Sequence, residues 1–143
     1  GRARADAMKL LRPLLLAAAM LPVSRTTAHH SAAMFDQSAL LILKGALRSF
    51  SYVNPHSWIS IDGSPAGTAE VARWDIEATS PSTLAGIGLT DQVLHAGDRV
   101  TVGIRPLRDG RHGGSMVFVI GPDGKSYGAK PEALGLRVED LKP

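Results

Sequence analysis

The sequence predicts a mainly β chain that closes into a small single-domain β-barrel of OB-like type with one or two short helices, a β-sandwich being the alternative. Three observations carry this. Five or six short segments alternate apolar and polar residues, clusters of Gly, Pro, Asp and Ser separate them, and a Ser-Pro start marks a single helical insertion. Closure also suits an exported, weakly charged chain, because a barrel hides strand edges that would otherwise pair with other chains.

The elements follow in order. Ala39 to Phe50 is rich in Leu and Ile and then alternates around Lys44, Leu47 and Arg48, which predicts a first strand. Trp58-Ile59-Ser60-Ile61-Asp62 alternates strictly and predicts a second, closed by a loop over Asp62 to Gly67. The third, Val71 to Glu77, puts Ala72, Trp74 and Ile76 on one face. Ser80 is a favoured N-cap and Pro81 a favoured first helical residue, so residues 81–86 form a short helix, and a further helical turn runs from Thr90 to Leu94. A Gly97-Asp98 turn then feeds an alternating strand around Val100 and Val102, and Pro106 to Gly114 reads as a polar loop. Met116 to Ile120 and Lys125 to Tyr127 flank Gly121-Pro122-Asp123-Gly124 as a final hairpin, and the tail from Lys130 to Pro143 reads as a loose amphipathic helix.

Upstream of the strands stand the parts of an export signal. Arg2, Arg4, Lys9 and Arg12 form a basic region, Leu14 to Val23 is apolar apart from Pro22, and Thr26-Thr27-Ala28 places small residues at a cleavage site. The apolar run is about half the ~20 residues that a spanning helix needs, so cleavage after Ala28 is expected rather than an anchor. Met8-Lys9 is the more natural start, which makes residues 1–7 an upstream extension or a cloning remnant. The expected organisation is therefore a signal peptide over 1–28, a β-barrel domain over 29–130 and a C-terminal tail over 131–143, with no transmembrane segment after cleavage. The destination is the bacterial periplasm or the exterior.

Export changes the charge argument. The chain carries 16 Lys and Arg against 13 Asp and Glu, but five of the former and one of the latter fall within 1–28. What remains is 11 against 12, a net charge of −1, so the basic footprint of a nucleic-acid binder is missing. Cysteine is absent, which excludes disulfides, a thiolate nucleophile and a thiolate metal site.

All five histidines lie beyond residue 28: His29, His30, His56, His95 and His112. After cleavage His29 would be the first residue, and an N-terminal histidine can chelate one metal through its imidazole and its α-amino group, whose pKa lies near ~7.7. His56 sits in Val53-Asn54-Pro55-His56-Ser57-Trp58, where Asn-Pro imposes an extended or turn conformation and aims the next side chain out of the strand pattern. Three nitrogens from His29 and His56 suit copper(II), and His30, Asp36 or water would complete a tetrahedral zinc site. Plainer readings exist: chain ends are usually mobile, and His56 can serve a neighbouring backbone group. His95 and His112 read as solvated, Met34 and Met116 as core fillers, and Trp58 and Trp74 as anchors of the barrel core.

Catalysis has little support. Ser31, Ser57 and Ser115 lack the context of a nucleophile elbow, Asp75 and Glu77 read as solvated charges on the outer face of a strand, and Gly110 to Gly114 lacks the Lys and Ser/Thr of a phosphate loop. No enzyme is predicted.

His29-His30-Ser31 with Met34-Phe35-Asp36, the Lys44-Gly45 strand, Asn54-Pro55-His56-Ser57-Trp58, Ser80-Pro81 through Gly88, and Leu94, Gly97, Asp98, Val100 and Val102 in order together resemble the DUF6152 family of small exported bacterial proteins. The resemblance implies a periplasmic, β-rich single domain, and it brings no established activity. His29, His30 and His56 fall on its motif positions, while Ala32 and Ala33 stand where a bulky residue is expected after Ser31. The function expected is that of an exported periplasmic binding module that takes copper or zinc through His29, His30 and His56. The alternative is a structural or interaction protein of the cell envelope that works without metal.

Overall fold

The structure is a computed structural model and describes residues 32–143. Among the described residues six strands appear: β1 (Leu41–Ser51), β2 (Trp58–Pro65), β3 (Ala72–Glu77), β4 (Arg99–Pro106), β5 (Gly113–Ile120) and β6 (Ser126–Gly128). One helix, α1 (Pro81–Gly86), lies between β3 and β4. Antiparallel pairings run β3-β2-β1-β4-β5-β6, and a parallel pairing of Asp75, Ile76 and Glu77 with Gly113, Gly114 and Ser115 joins β3 to β5. That last seam closes β1 to β5 into a five-stranded barrel, the OB-like arrangement expected.

The alternation along the strands explains the core. Leu43, Leu47, Ile59, Ile61, Trp74, Ile76, Val100, Val102, Ile104 and Val119 point inward and pack into one cluster, to which Leu84 of α1 and the following Leu89 and Leu94 add a plug. Ser80 caps α1, its Oγ accepting from the Thr83 amide at 3.4 Å, and Pro81 occupies the first turn as its fixed φ favours.

Three boundaries differ from the sequence reading. β2 runs on to Pro65 through residues expected to form a loop, because Gly63 lies opposite Gly45 of β1. Two glycines let the strands approach: a Cβ on Gly45 would stand 2.3 Å from the Asp62 carbonyl oxygen and 2.6 Å from Gly63 Cα. β5 begins at Gly113, inside the expected polar loop, since Gly113 and Gly114 complete the closing seam, where a Cβ on Gly114 would stand 2.5 Å from the Arg105 carbonyl oxygen. Thr90 to Leu94 makes a hydrogen-bonded turn, Val93 N–H to the Thr90 carbonyl at 3.1 Å, and not a helical segment.

The tail forms two short 3-10 helices, Pro131–Leu134 and Val138–Leu141. Leu141, with Leu134 and Leu136, packs on Phe118, Ile120, Ile42 and Val117 in a second cluster outside the barrel. Lys44 Nζ ties it down by donating to the Asp140 and Lys142 carbonyls at 2.8 and 3.0 Å. Among the described residues no helix is long and apolar enough to cross a membrane.

Thr101 on β4 is fully buried and its hydroxyl has no hydrogen-bond partner. A buried unsatisfied hydroxyl costs about 1–3 kcal/mol, whereas valine has the same branched shape without it. Thr101→Val is therefore expected to raise the melting temperature by about 4 °C, read by circular dichroism; an unchanged or lower value would show that the hydroxyl is satisfied in solution.

Candidate functional site

The β2–β3 ladder does not stop at Trp58, which pairs with Glu77. It continues into the preceding loop, where the Ser57 amide donates to the Thr79 carbonyl at 3.0 Å and the Ala78 amide to the Ser57 carbonyl at 2.8 Å. The Asn54–Pro55 bond is cis, and these two backbone bonds anchor the loop so that His56 stands beside the end of β3. There His56 Nδ1 contacts Glu77 Oε1. A carboxylate only accepts, so Nδ1 carries the proton, and in the neutral ring the lone pair sits on Nε2. The His56 side chain stays 46% exposed while that of Glu77 is 17% exposed, which makes Glu77 a support held in the wall and His56 the group on show.

His56 and Glu77 line a depression of about 260 Å³ together with Ala32, Phe35, Thr79 and Met116. Phe35 is buried and its segment bridges to Leu107, while the Asp36 amide donates to the Pro106 carbonyl at 2.8 Å. These contacts hold the segment from Met34 to Asp36 against the end of β4 and the residues that follow it, and Ala32 lines the same depression as His56. His29 and His30, the other expected ligands, lie outside the described residues. Among the described residues no three His, Asp or Glu side chains gather into a metal-binding group. Asp36 does not face His56. Its carboxylate accepts from the Ser38 hydroxyl at 2.6 Å and the Ser38 amide at 3.0 Å, and the Ser38 bonds hold its pKa below the ordinary carboxylate value.

Around the same Glu77 a second groove, of about 290 Å³, opens toward the β4–β5 loop. Its floor is Gly113 and Gly114, and its walls include Trp58, Met34 and Leu107. Here the sequence reading needs correction. Trp58 is 44% exposed and Met34 48%, so neither belongs to the core, whereas Trp74, 6% exposed, does. Trp58 begins β2 with its side chain on the outer face, opposite Glu77, and is thus directed away from Ile59 and Ile61. Glu77 is likewise not a freely solvated charge, since the loop folds His56 against it.

His112 is exposed as expected, but its ring lies on Trp74 with centroids 4.6 Å apart and an interplanar angle of 32°. It lines both the Trp58 groove and a second one beside Trp74. His95 stands at the far turn, its ring 3.9 Å from Asp98 and well exposed.

The family model DUF6152, a family of unknown function, matches residues 17–116. The chain belongs to this family. No curated protein and no solved structure matches it. Within DUF6152 the matched span takes in all the groups just described, from the arm through His56, Trp58 and Glu77 to His112, and it ends inside β5. The packed tail lies beyond it. For this DUF6152 chain the sequence singled out His56 and passed over its support: Glu77 is a carboxylate directly opposite the residue two places after His56, a relation visible only once the β2–β3 register is known.

Proposed function

We propose that this DUF6152 chain is an exported periplasmic binding module that holds one copper(II) or zinc ion. The ligands are the α-amino group and imidazole of His29 and the imidazole of His56, with His30 as a further ligand. The observation that carries the reading is the His56–Glu77 pair on the rim of a depression that Ala32 also lines. Metal-binding histidines commonly donate their other ring N–H to a carboxylate, which fixes the ring and raises its basicity. His56 has that support before any metal arrives. His29 stands three positions before Ala32 in sequence, and an extended chain covers at most about 3.6 Å per residue, so the connection between them can span at most roughly 11 Å. A connection this short supports the reading that the two histidine motifs share an ion.

The test is calorimetric titration of copper(II), then zinc, into protein whose first residue is verified by mass spectrometry as His29. One-to-one binding is expected. His56→Ala should weaken it by at least about tenfold, and Glu77→Gln by about 10–100-fold, the usual cost of losing the carboxylate behind a ligand. Binding no tighter than that of a short His-His-Ser peptide would overturn the proposal and leave an envelope interaction protein as the reading.

A further inference from the structure

We infer that the groove between Trp58 and the β4–β5 loop is a separate binding site for a neutral saccharide. Its construction is specific. The floor carries no side chains, because Gly113 and Gly114 are held by the β3–β5 seam, and a Cβ on Gly113 would meet the Asp75 carbonyl oxygen at 2.8 Å and Leu107 Cδ1 at 3.0 Å. Above this floor stands an exposed indole, in a chain with only seven aromatic residues. An exposed tryptophan beside an open slot offers the flat apolar surface on which the C–H face of a pyranose ring stacks.

The charges select the ligand class. Asp75 accepts from Ser60 Oγ at 2.8 Å and from Arg73 at 3.2 Å, Glu77 is met by His56, and Arg111 Nε donates to Asp109 at 2.8 Å. Each charged group at the groove thus already has a partner of opposite sign or a donor. A phosphate would meet two carboxylates, and an organic cation would find Asp75 already paired with Arg73 and Glu77 already accepting from His56. A hydroxylated neutral ring fits better, since oriented carboxylate oxygens and a guanidinium still have unused capacity for hydroxyl groups. The position agrees: strands 2 and 3 with the β1–β2 and β4–β5 loops form the face on which OB barrels bind oligosaccharides and oligonucleotides, an analogy of fold alone. The volume, about 290 Å³, suits one or two sugar rings and lies at the lower end of ligand pockets.

Glu77 lines both this groove and the depression beside His56, so the experiment uses the whole chain stripped with a chelator. Tri-N-acetylchitotriose and cellotriose are titrated while intrinsic fluorescence is followed, with Trp58 as the exposed reporter and buried Trp74 as the steady background. Saturable quenching or a blue shift is expected for at least one sugar, with a dissociation constant on the order of 1 mM. Trp58→Ala, at a half-exposed position where folding survives, should weaken binding at least about tenfold as followed by calorimetry, and His95→Ala, at the exposed turn beside Asp98, should leave it unchanged. No saturable response to either sugar, binding that survives Trp58→Ala, or saturation by tetramethylammonium or inorganic phosphate in their place would each overturn the inference.

Discussion

Replacing Gly45 with valine is expected to leave the chain without a cooperative thermal transition. Gly45 and Gly63 face each other across β1 and β2, and a Cβ on Gly45 would lie 2.3 Å from one backbone oxygen and 2.6 Å from a backbone carbon. Neither obstacle is a side chain that can rotate aside. Relief would need the two strands to separate within their pairing, between Leu43 and Leu47, which breaks ladder hydrogen bonds and opens the core over those two residues. Backbone clashes of this kind fall in the range above about 4 kcal/mol, against a total stability of roughly 5–15 kcal/mol for a domain. Gly86→Ala is the matching control. Gly86 has no atom within 4 Å of its hypothetical Cβ and ends α1, so alanine there should be neutral or raise stability by up to about 1 kcal/mol. Circular dichroism melts of the two variants, run side by side, decide the matter. A Gly45→Val chain that melts within a few degrees of the native protein would show that the strands are not held so close.

The same glycine pair shows where sequence reading succeeds and where it stops. Period-two alternation exposes a strand wherever one face is buried, and it placed β1, β3 and the start of β2 because Leu43, Leu47, Ile59, Ile61, Trp74 and Ile76 keep that period. It failed at Asp62 to Pro65 and at Gly113-Gly114. In both places glycine answers to a neighbouring strand rather than to a turn, and the neighbour is far away in sequence. Composition alone cannot tell these two uses of glycine apart. The Ser80-Pro81 start was legible because capping is local. At the candidate site His56 was legible for a similar reason, Asn-Pro being a local constraint, whereas the exposure of Trp58 and the pairing of Glu77 depend on the register between β2 and β3.

Removing residues 131–143 is the second change expected to have a large effect, although the tail lies outside the matched family span and outside the barrel. The outer face of β5 is not polar as it would be on a free-standing barrel. Phe118 and Ile120 point outward there, 0% and 1% exposed, and the Phe118 ring lies on Gly103, where a Cβ would stand 2.3 Å from Cε1. Uncovering two such side chains forfeits about 1.5–3 kcal/mol apiece, before the loss of Leu141 itself is counted. Leu141→Ala alone, at 5% exposure, should cost about 2–4 kcal/mol. The truncated chain is thus expected to melt far below the native one or to aggregate through the bared patch, while a melt unchanged by truncation would show that the tail is not docked in solution. Acid gives a milder version of the same experiment. The Asp140 carboxyl is held below its ordinary value of 3.8, first by its hydrogen bond with Arg137 and then by the charge of Lys44. A depressed carboxylate stabilises the folded state above its unfolded pKa and loses that contribution as the pH falls through its folded value. Below about pH 4, therefore, the grip of Arg137 on Asp140 weakens while the apolar contacts of Leu141 persist. Limited pepsin digestion should then cut within 131–143 before it cuts the barrel, and earlier in Leu141→Ala than in the native chain. First cleavage in the β1–β2 loop instead would place the weakest element of the fold at the candidate site and not at the tail.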